Sequence, residues 1–333
     1  MAEDLVHGGT DAAGIPVHDF STNRNSCGPC PLVVAILQAA HVAQYPDPAY
    51  TDLRAALAAF HGVAAQRVVV AGSASEFIHR ITMHAVRSGA QCVSFPPHHY
   101  GDYAHAARNW GLRTMARGTP ASGLHWACEP SSPLGVEEEV WPQWPARAPA
   151  GCWRVLDCAY APLRLEGAVP ARSLDHVWQM WTPNKALGMT GIRAAYAIAP
   201  LGTAPDEVDT IRSLAPSWVV GAHGLAMLQA WISPVVQDWL RQSLRTLQAW
   251  KKQQLQLCAQ LGWEVQAGHQ ANYFVARWPA SSQGAVMQQH LQALRAQGIK
   301  LRDCTSFGLP GHVRMGVLSP ASQRALWEAW QAV

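Results

Sequence analysis

Residues 181–193, Trp-Thr-Pro-Asn-Lys-Ala-Leu-Gly-Met-Thr-Gly-Ile-Arg, constrain this chain more than any other stretch. They set Lys185 in a polar turn relieved by glycine, with Arg193 eight residues on. A lysine that reacts with a carbonyl needs a fixed approach and a lowered pKa. A planar guanidinium beside it suits a phosphate. Thr182 and Asn184 add short hydrogen-bonding side chains to the same turn. Such a set describes a site for a phosphorylated carbonyl compound, and pyridoxal 5′-phosphate (PLP) answers that description. A surface lysine and a salt-bridged arginine in a loop would read the same in isolation. The other parts of such a site must therefore appear in order along the chain.

The chain has 333 residues, 49% of them hydrophobic and 14% charged, enough for a substantial core. A formal charge of +3 without a basic run gives no argument for nucleic acid. No charged start leads into an apolar segment, so no secretory signal is read. The segment 218–236 carries no Asp, Glu, Lys or Arg, but Gly221, His223, Gly224, Gln229 and Pro234 interrupt it. It reads as a buried helix rather than a membrane span. Eight cysteines without a disulfide framework fit a reducing compartment, and the expected location is cytoplasmic.

Several further segments carry chemistry. Arg67-Val-Val-Val70 reads as a strand, followed by Ala71-Gly-Ser-Ala74-Ser75-Glu76, a small-residue turn into a helix. Free backbone N–H groups and the helix dipole make such a turn an anion cradle. A helix is expected over 51–61, where Leu53, Ala56, Leu57 and Phe60 share a face. Strands are expected over 91–95, 124–128, 153–157 and 194–198, a long helical region over 206–262, a strand near 272–276 and a helix near 284–297. The strand ending in Asp157 places a carboxylate where open α/β sheets put function. Adjacent His98 and His99 point to different faces and lack a carboxylate-histidine set, so no metal site is read. Cys27-Gly-Pro-Cys30 matches a thioredoxin redox motif, but loop residues precede it where a strand is required. A Gly-Pro turn before a helix near 31–41 accounts for it.

The segment around Lys185 resembles the lysine segment of fold-type I PLP enzymes, the aspartate aminotransferase superfamily. Six elements recur in that family's order over nearly the whole chain: Ala74-Ser75, Tyr100, Ser132, Asp157 with Tyr160, Lys185 with Arg193, and Arg314. By the resemblance Lys185 bonds the cofactor, while Ala74, Ser75 and Arg193 hold its phosphate. Tyr100 stacks on the pyridine ring, Asp157 pairs with the ring nitrogen, and Tyr160 meets the phenolic oxygen. The family's asparagine at that oxygen falls on Ser132, a shorter side chain and the clearest departure. Arg314 would grip a substrate carboxylate. Tyr45 looks like the tyrosine lent to a neighbouring subunit's cofactor phosphate, which implies a homodimer.

The implied fold is α/β, with a large domain around a mostly parallel seven-stranded sheet and a smaller α+β domain. The implied boundaries are 1–32 for an arm and part of the small domain, 33–233 for the PLP-binding domain, and 234–333 for the small domain. Two branches fit best, L-threonine-O-3-phosphate decarboxylases of cobalamin biosynthesis and histidinol-phosphate aminotransferases. His7-Gly-Gly, Tyr45-Pro-Asp-Pro and Arg302-Asp-Cys-Thr-Ser-Phe favour the first. Arg302, with His7 as a second ligand, would bind a substrate phosphate. The leading expectation is a phosphothreonine decarboxylase and the alternative a transaminase. A non-catalytic PLP-fold protein and a Cys27/Cys30 redox protein stand behind them.

Overall fold

A computed structural model describes residues 7–118, 122–169 and 172–332. Residues 1–6 and 333, the extremes of the expected arm and small domain, lie outside the described residues. Seven strands form the main sheet in the order Val68–Ala71, Ala195–Ile198, Trp178–Trp181, Cys152–Asp157, Gly123–Cys128, Cys92–Ser94, Arg113–Thr114. All run parallel except Ala195–Ile198, which is antiparallel to both neighbours. The expected α/β fold with a mostly parallel seven-stranded sheet is thus observed.

The central strands read as continuous apolar runs because both sheet faces are covered. Alternation along Val68–Ala71 shows how. Val69 and Ala71 pack with Phe77, Ile78 and Ile81 of the helix Ala74–Arg87 and with Val208 and Ile211 of Pro205–Ser213. Val68 and Val70 join a second core with Leu53 and Leu57 of Thr51–His61 and with Met227 and Leu228 of Ala222–Trp231. The Ser73 hydroxyl caps Ala74–Arg87 by accepting the Glu76 N–H at 3.0 Å. The Glu76 carboxylate accepts from Gly72 N–H at 3.0 Å, so the turn beneath the helix is tied from both sides.

A four-stranded antiparallel sheet, ordered Arg302–Asp303, His312–Gly316, Tyr273–Arg277, Glu264–Val265, forms the C-terminal part. The long helix Pro234–Gln260 and the helix Pro320–Trp330 accompany it. Trp263, Trp278 and Trp330 pack ring to ring here, with centroids 4.7–5.1 Å apart. The arm joins this part through His18–Asp19, parallel to Ile299–Lys300.

Two expectations need correction. The helical region 206–262 is three helices, Pro205–Ser213, Ala222–Trp231 and Pro234–Gln260. Gly221 and Pro234 break it, so 218–236 is no single buried helix. Trp218 precedes the second helix with φ 50° and is 42% exposed. Among the described residues no helix is long and apolar enough to cross a membrane.

The redox reading of Cys27 and Cys30 also fails. The helix Pro31–Gln38 opens after Cys30, not at Cys27, and both thiols are free. A reactive thiol needs a lowered pKa. Burial instead pushes Cys27 up to about 11 and raises Cys30. This segment serves as a backbone clamp. Asn25 N–H donates to Lys185 O at 2.8 Å, Cys30 N–H donates to Leu187 O at 2.9 Å, and the Asn25 side chain donates to Ala186 O at 3.0 Å.

The clamp needs two glycines. A Cβ on Gly188, whose φ is +69°, would lie 2.7 Å from Gly28 Cα and 2.8 Å from Asn25 O. Gly188→Ala is therefore expected to destabilise the protein by about 2–4 kcal/mol, from positive φ and overpacking together. Gly191, with open space around its Cβ direction, is the control. Thermal melts of both alanine variants check this; equal melting temperatures would remove the clamp.

Candidate active site

The lysine turn leaves the sheet at the end of Trp178–Trp181. Its side chains brace it internally. The Thr182 hydroxyl donates to Asn184 Oδ1 at 2.8 Å, and Asn184 Nδ2 donates to Ile192 O at 3.2 Å. Asn184 thereby fixes the far side of the turn, and the arm fixes the backbone on the near side. Lys185 Nζ lies 5.4 Å from the centroid of the Tyr160 ring, a cation–π approach. No hydrogen bond or ion pair engages that amine among the described residues.

Asp157 ends the neighbouring strand Cys152–Asp157, deep in the sheet. The Tyr103 hydroxyl donates to its Oδ2 at 2.6 Å, and Ala159 N–H donates to its Oδ1 at 2.8 Å. Burial raises its pKa, while the Tyr103 bond and the Lys185 charge pull it back down. Tyr160 follows in the same loop, and Asn23 Nδ2 of the arm donates to its hydroxyl at 3.4 Å. Ser132 is buried on the next loop, where Glu129 pairs with Arg164 and accepts the Glu138 N–H at 2.5 Å.

The start of Ala74–Arg87 faces the same space. First-turn N–H groups lack intrahelical acceptors, so the backbone around Ala74 and Ser75 presents donors. Ser75 Oγ lies 3.3 Å from the Tyr100 hydroxyl, and burial raises the Tyr100 pKa. Arg193 and Thr190 line the same cavity, and Arg193 has no ion pair among the described residues.

Two more arginines come from the C-terminal sheet. Arg302 and Arg314 are directly opposite in the antiparallel register, and both are buried. Burial and the Arg314 charge push Arg302 down to about 10. Arg314 donates to Ser21 O at 2.9 Å, while its Nε is buried with no partner. His7 reaches the space from the arm, its ring 6.2 Å from that of Tyr100.

One cavity of about 1020 Å³ contains this set: His7, Ala74, Ser75, Tyr100, Ser132, Asp157, Tyr160, Thr182, Asn184, Lys185, Arg193, Arg302 and Arg314 all line it. Of the residues expected at a site, Tyr45 alone lies elsewhere. It is 77% exposed and stacks on Trp218 at 4.3 Å. His98 and His99 are engaged with carbonyls of Phe307 and Pro96, at 2.7 and 2.8 Å.

Sequence reasoning passed over Tyr103, Asn23 and Phe307. Tyr103 stands three residues after Tyr100, a helical spacing that carried the signal. Asn23 sits in a polar run that reads as an exposed loop, yet it is 2% exposed. Phe307 had no signal beyond its place after Arg302.

These groups fit pyridoxal 5′-phosphate on their own chemistry. An unpartnered amine awaits an aldehyde, a buried carboxylate a cationic ring nitrogen, and a helix start with a guanidinium a phosphate. The orphaned Nε of Arg314 marks room for a further anion. Comparison with known proteins agrees. A histidinol-phosphate aminotransferase of Jannaschia sp. is 26% identical over 324 residues, covering 90% of this chain and 87% of that one. Further curated relatives carry the same enzyme name. The structure of a histidinol-phosphate aminotransferase from Sinorhizobium meliloti, in complex with pyridoxal-5′-phosphate, matches with a TM-score of 0.74 at 20% identity, over 93% of this chain and 90% of that one. An L-threonine-O-3-phosphate decarboxylase structure from Porphyromonas gingivalis matches with a TM-score of 0.74 at 18% identity, over 94% and 98%. The family model for aminotransferase class I and II matches residues 126–329. The chain belongs to the aminotransferase class I and II family, a PLP-dependent enzyme on the scaffold its sequence implies.

Proposed function

We propose that this chain is a transaminase acting on a phosphorylated amino compound of the kind represented by histidinol phosphate. The observation that carries the reading is the in-register pair Arg302 and Arg314, in the same cavity as Lys185. The sequence alone ranked phosphothreonine decarboxylation first. The curated relatives favour the alternative, and the decarboxylase enters only as a structural likeness.

When bound, PLP supplies an electron sink for charge developing at the substrate Cα. The chain's residues do the rest. Lys185 is the amine that bonds the cofactor aldehyde; as a free amine, its Nζ is the base that takes the Cα proton. Arg193, the N–H groups at Ala74 and Ser75, and the Ser75 hydroxyl hold the cofactor phosphate. Asp157 keeps the ring nitrogen protonated, and Tyr103 orients Asp157. Tyr100 supplies an aromatic face, and Tyr160 with Ser132 meets the phenolic oxygen. Thr182 and Asn184 keep the lysine turn in place. Arg302 and Arg314 fix the substrate's anionic groups, with His7 beside them. The same reading makes the chain a cytoplasmic homodimer in which the partner's Tyr45 completes the phosphate end.

Phosphothreonine decarboxylation is the second reading, favoured by His7 of the His7-Gly-Gly opening lying in the cavity. One experiment separates the two. The holoenzyme is given L-histidinol phosphate with 2-oxoglutarate, or L-threonine O-3-phosphate without an acceptor. Glutamate formation in the first mixture is expected; CO₂ release in the second, with no glutamate in the first, would sink the transaminase reading.

Two variants test the roles. Lys185→Ala is expected to lose the borohydride-reducible cofactor bond and to lower turnover by about 10²–10⁴-fold, the range for a removed general base. Retention of a reducible bond in that variant would move the bond to another residue. Arg314→Ala is expected to lower kcat/KM by roughly 10–100-fold, from a lost charged hydrogen bond, with cofactor affinity unchanged. An unaltered kcat/KM would take Arg314 out of substrate binding.

A further inference from the structure

Opposed in register, the guanidiniums of Arg302 and Arg314 repel each other, and hydrogen bonds to Asp303 O, Ser306 Oγ and Ser21 O help to hold them. The Phe307 ring approaches both. The guanidinium carbon of Arg302 lies 4.6 Å from its centroid and that of Arg314 lies 5.7 Å away. Tyr273 approaches Arg314 as well, at 5.8 Å. Both distances to Phe307 are within the range of a cation–π attraction. The ring attracts both cations without accepting from their N–H donors. Arg302 also donates to Asp303 O and Ser306 Oγ, whereas the Nε of Arg314 is buried with no partner.

The turn that carries Phe307 is itself secured. Phe307 N–H donates to Cys304 O at 2.9 Å, and Gly308 closes the turn with φ 77°. Arg302 donates to Ser306 Oγ at 2.7 Å. From the other side of the turn, His98 Nδ1 lies 2.7 Å from Phe307 O. A carbonyl only accepts, so His98 carries its proton on Nδ1 there. His98 is two residues from Tyr100, so the contact ties the turn to the loop that bears the cavity's aromatic face.

We propose that Phe307 is a specificity-determining positioning residue: its ring is a shared platform that sets the spacing of Arg302 and Arg314 and so selects substrates whose phosphate or carboxylate oxygens reach both guanidiniums. The proposal rests on the reading of those arginines as the substrate's anion site. The residue acts through the arginines and does not take part in the chemistry.

The test uses the PLP-loaded enzyme, with Phe307→Leu and Phe307→Tyr. Leucine keeps apolar bulk but removes the π face, and tyrosine keeps it. The KM for L-histidinol phosphate, or for L-threonine O-3-phosphate if that is the substrate turned over, is expected to rise about tenfold in Phe307→Leu. The kcat should stay within about twofold, and Phe307→Tyr should restore KM. Calorimetry with inorganic phosphate gives a readout independent of turnover: the dissociation constant rises about tenfold in the leucine variant only. In an Arg302→Ala background, Phe307→Leu should add less to KM than it does alone. Equal effects of leucine and tyrosine, or a joint fall in kcat and cofactor affinity, would make Phe307 merely structural and overturn the proposal. If the wild type turns over neither substrate yet binds phosphate in a Phe307-dependent manner, the transaminase reading falls and the platform stands.

Discussion

The contact between Gly28 and Gly188 is the constraint on which the rest of this structure depends. A Cβ on either glycine would lie 2.7–2.8 Å from the other's Cα, which no side chain tolerates. With the two backbones this close, Asn25 and Cys30 reach the carbonyls of Lys185 and Leu187. Lys185 is thus placed by a segment more than 150 residues earlier as much as by its own strand. The same arm then runs along the cavity. Ser21 accepts from Arg314, Asn23 meets Tyr160, and His7 approaches Tyr100. A shift of the arm would move the lysine, the phenol and the anion site together.

The second organising fact is an unfavourable one. Two guanidiniums are buried opposite each other, and Arg314 has a buried Nε without a partner. Burying charge costs free energy unless it is paired. Partial relief comes from aromatic faces at Phe307 and Tyr273 and from carbonyls such as Ser21 O. In the proposed reading an anionic substrate would meet these charges, and its binding would recover part of a cost already present in the folded protein. Asp157 illustrates the same principle with the opposite sign. Its carboxylate is buried, raised in pKa, and answered by Tyr103, Ala159 and the distant Lys185 charge.

How much of this was legible in the sequence depended on how local each signal was. The helix 51–61 was read with its observed bounds, because an apolar face and flanking turns are local features. The strands read at 91–95, 124–128, 153–157, 194–198 and 272–276 lie within one residue of those observed, since continuous apolar runs mark buried strands, whereas Arg113–Thr114 and Trp178–Trp181 were not given bounds. The helical region 206–262 was misread as one piece, although Gly221 and Pro234 were visible breaks. The cavity's charged residues were legible through their order along the chain. Asn23 was not, because burial of an asparagine in a polar run is decided by Asn272 and Tyr160, both far away in sequence. The Phe307 platform escaped for the same reason: one guanidinium is five residues away and the other seven, and only the strand register makes them neighbours.

The two reactions weighed for this cavity need the same residues, so composition of the site does not separate them. Separation lies in orientation. Which bond at the substrate Cα is presented would depend on where Arg302 and Arg314 hold the substrate's anionic groups, because effective molarity favours the bond that is held in position. In the proposed reading, which guanidinium takes which anion would therefore decide whether the Cα proton faces Lys185. Arg302 and Arg314 differ in one respect that bears on this: Arg314 is fastened to the arm through Ser21 O, whereas Arg302 is fastened within its own turn through Ser306. An anion on Arg314 is registered to the arm that also places the lysine; an anion on Arg302 follows the turn of Phe307. In the proposed reading, reaction choice would follow from which of these two anchors holds the substrate's anion, with the catalytic groups unchanged.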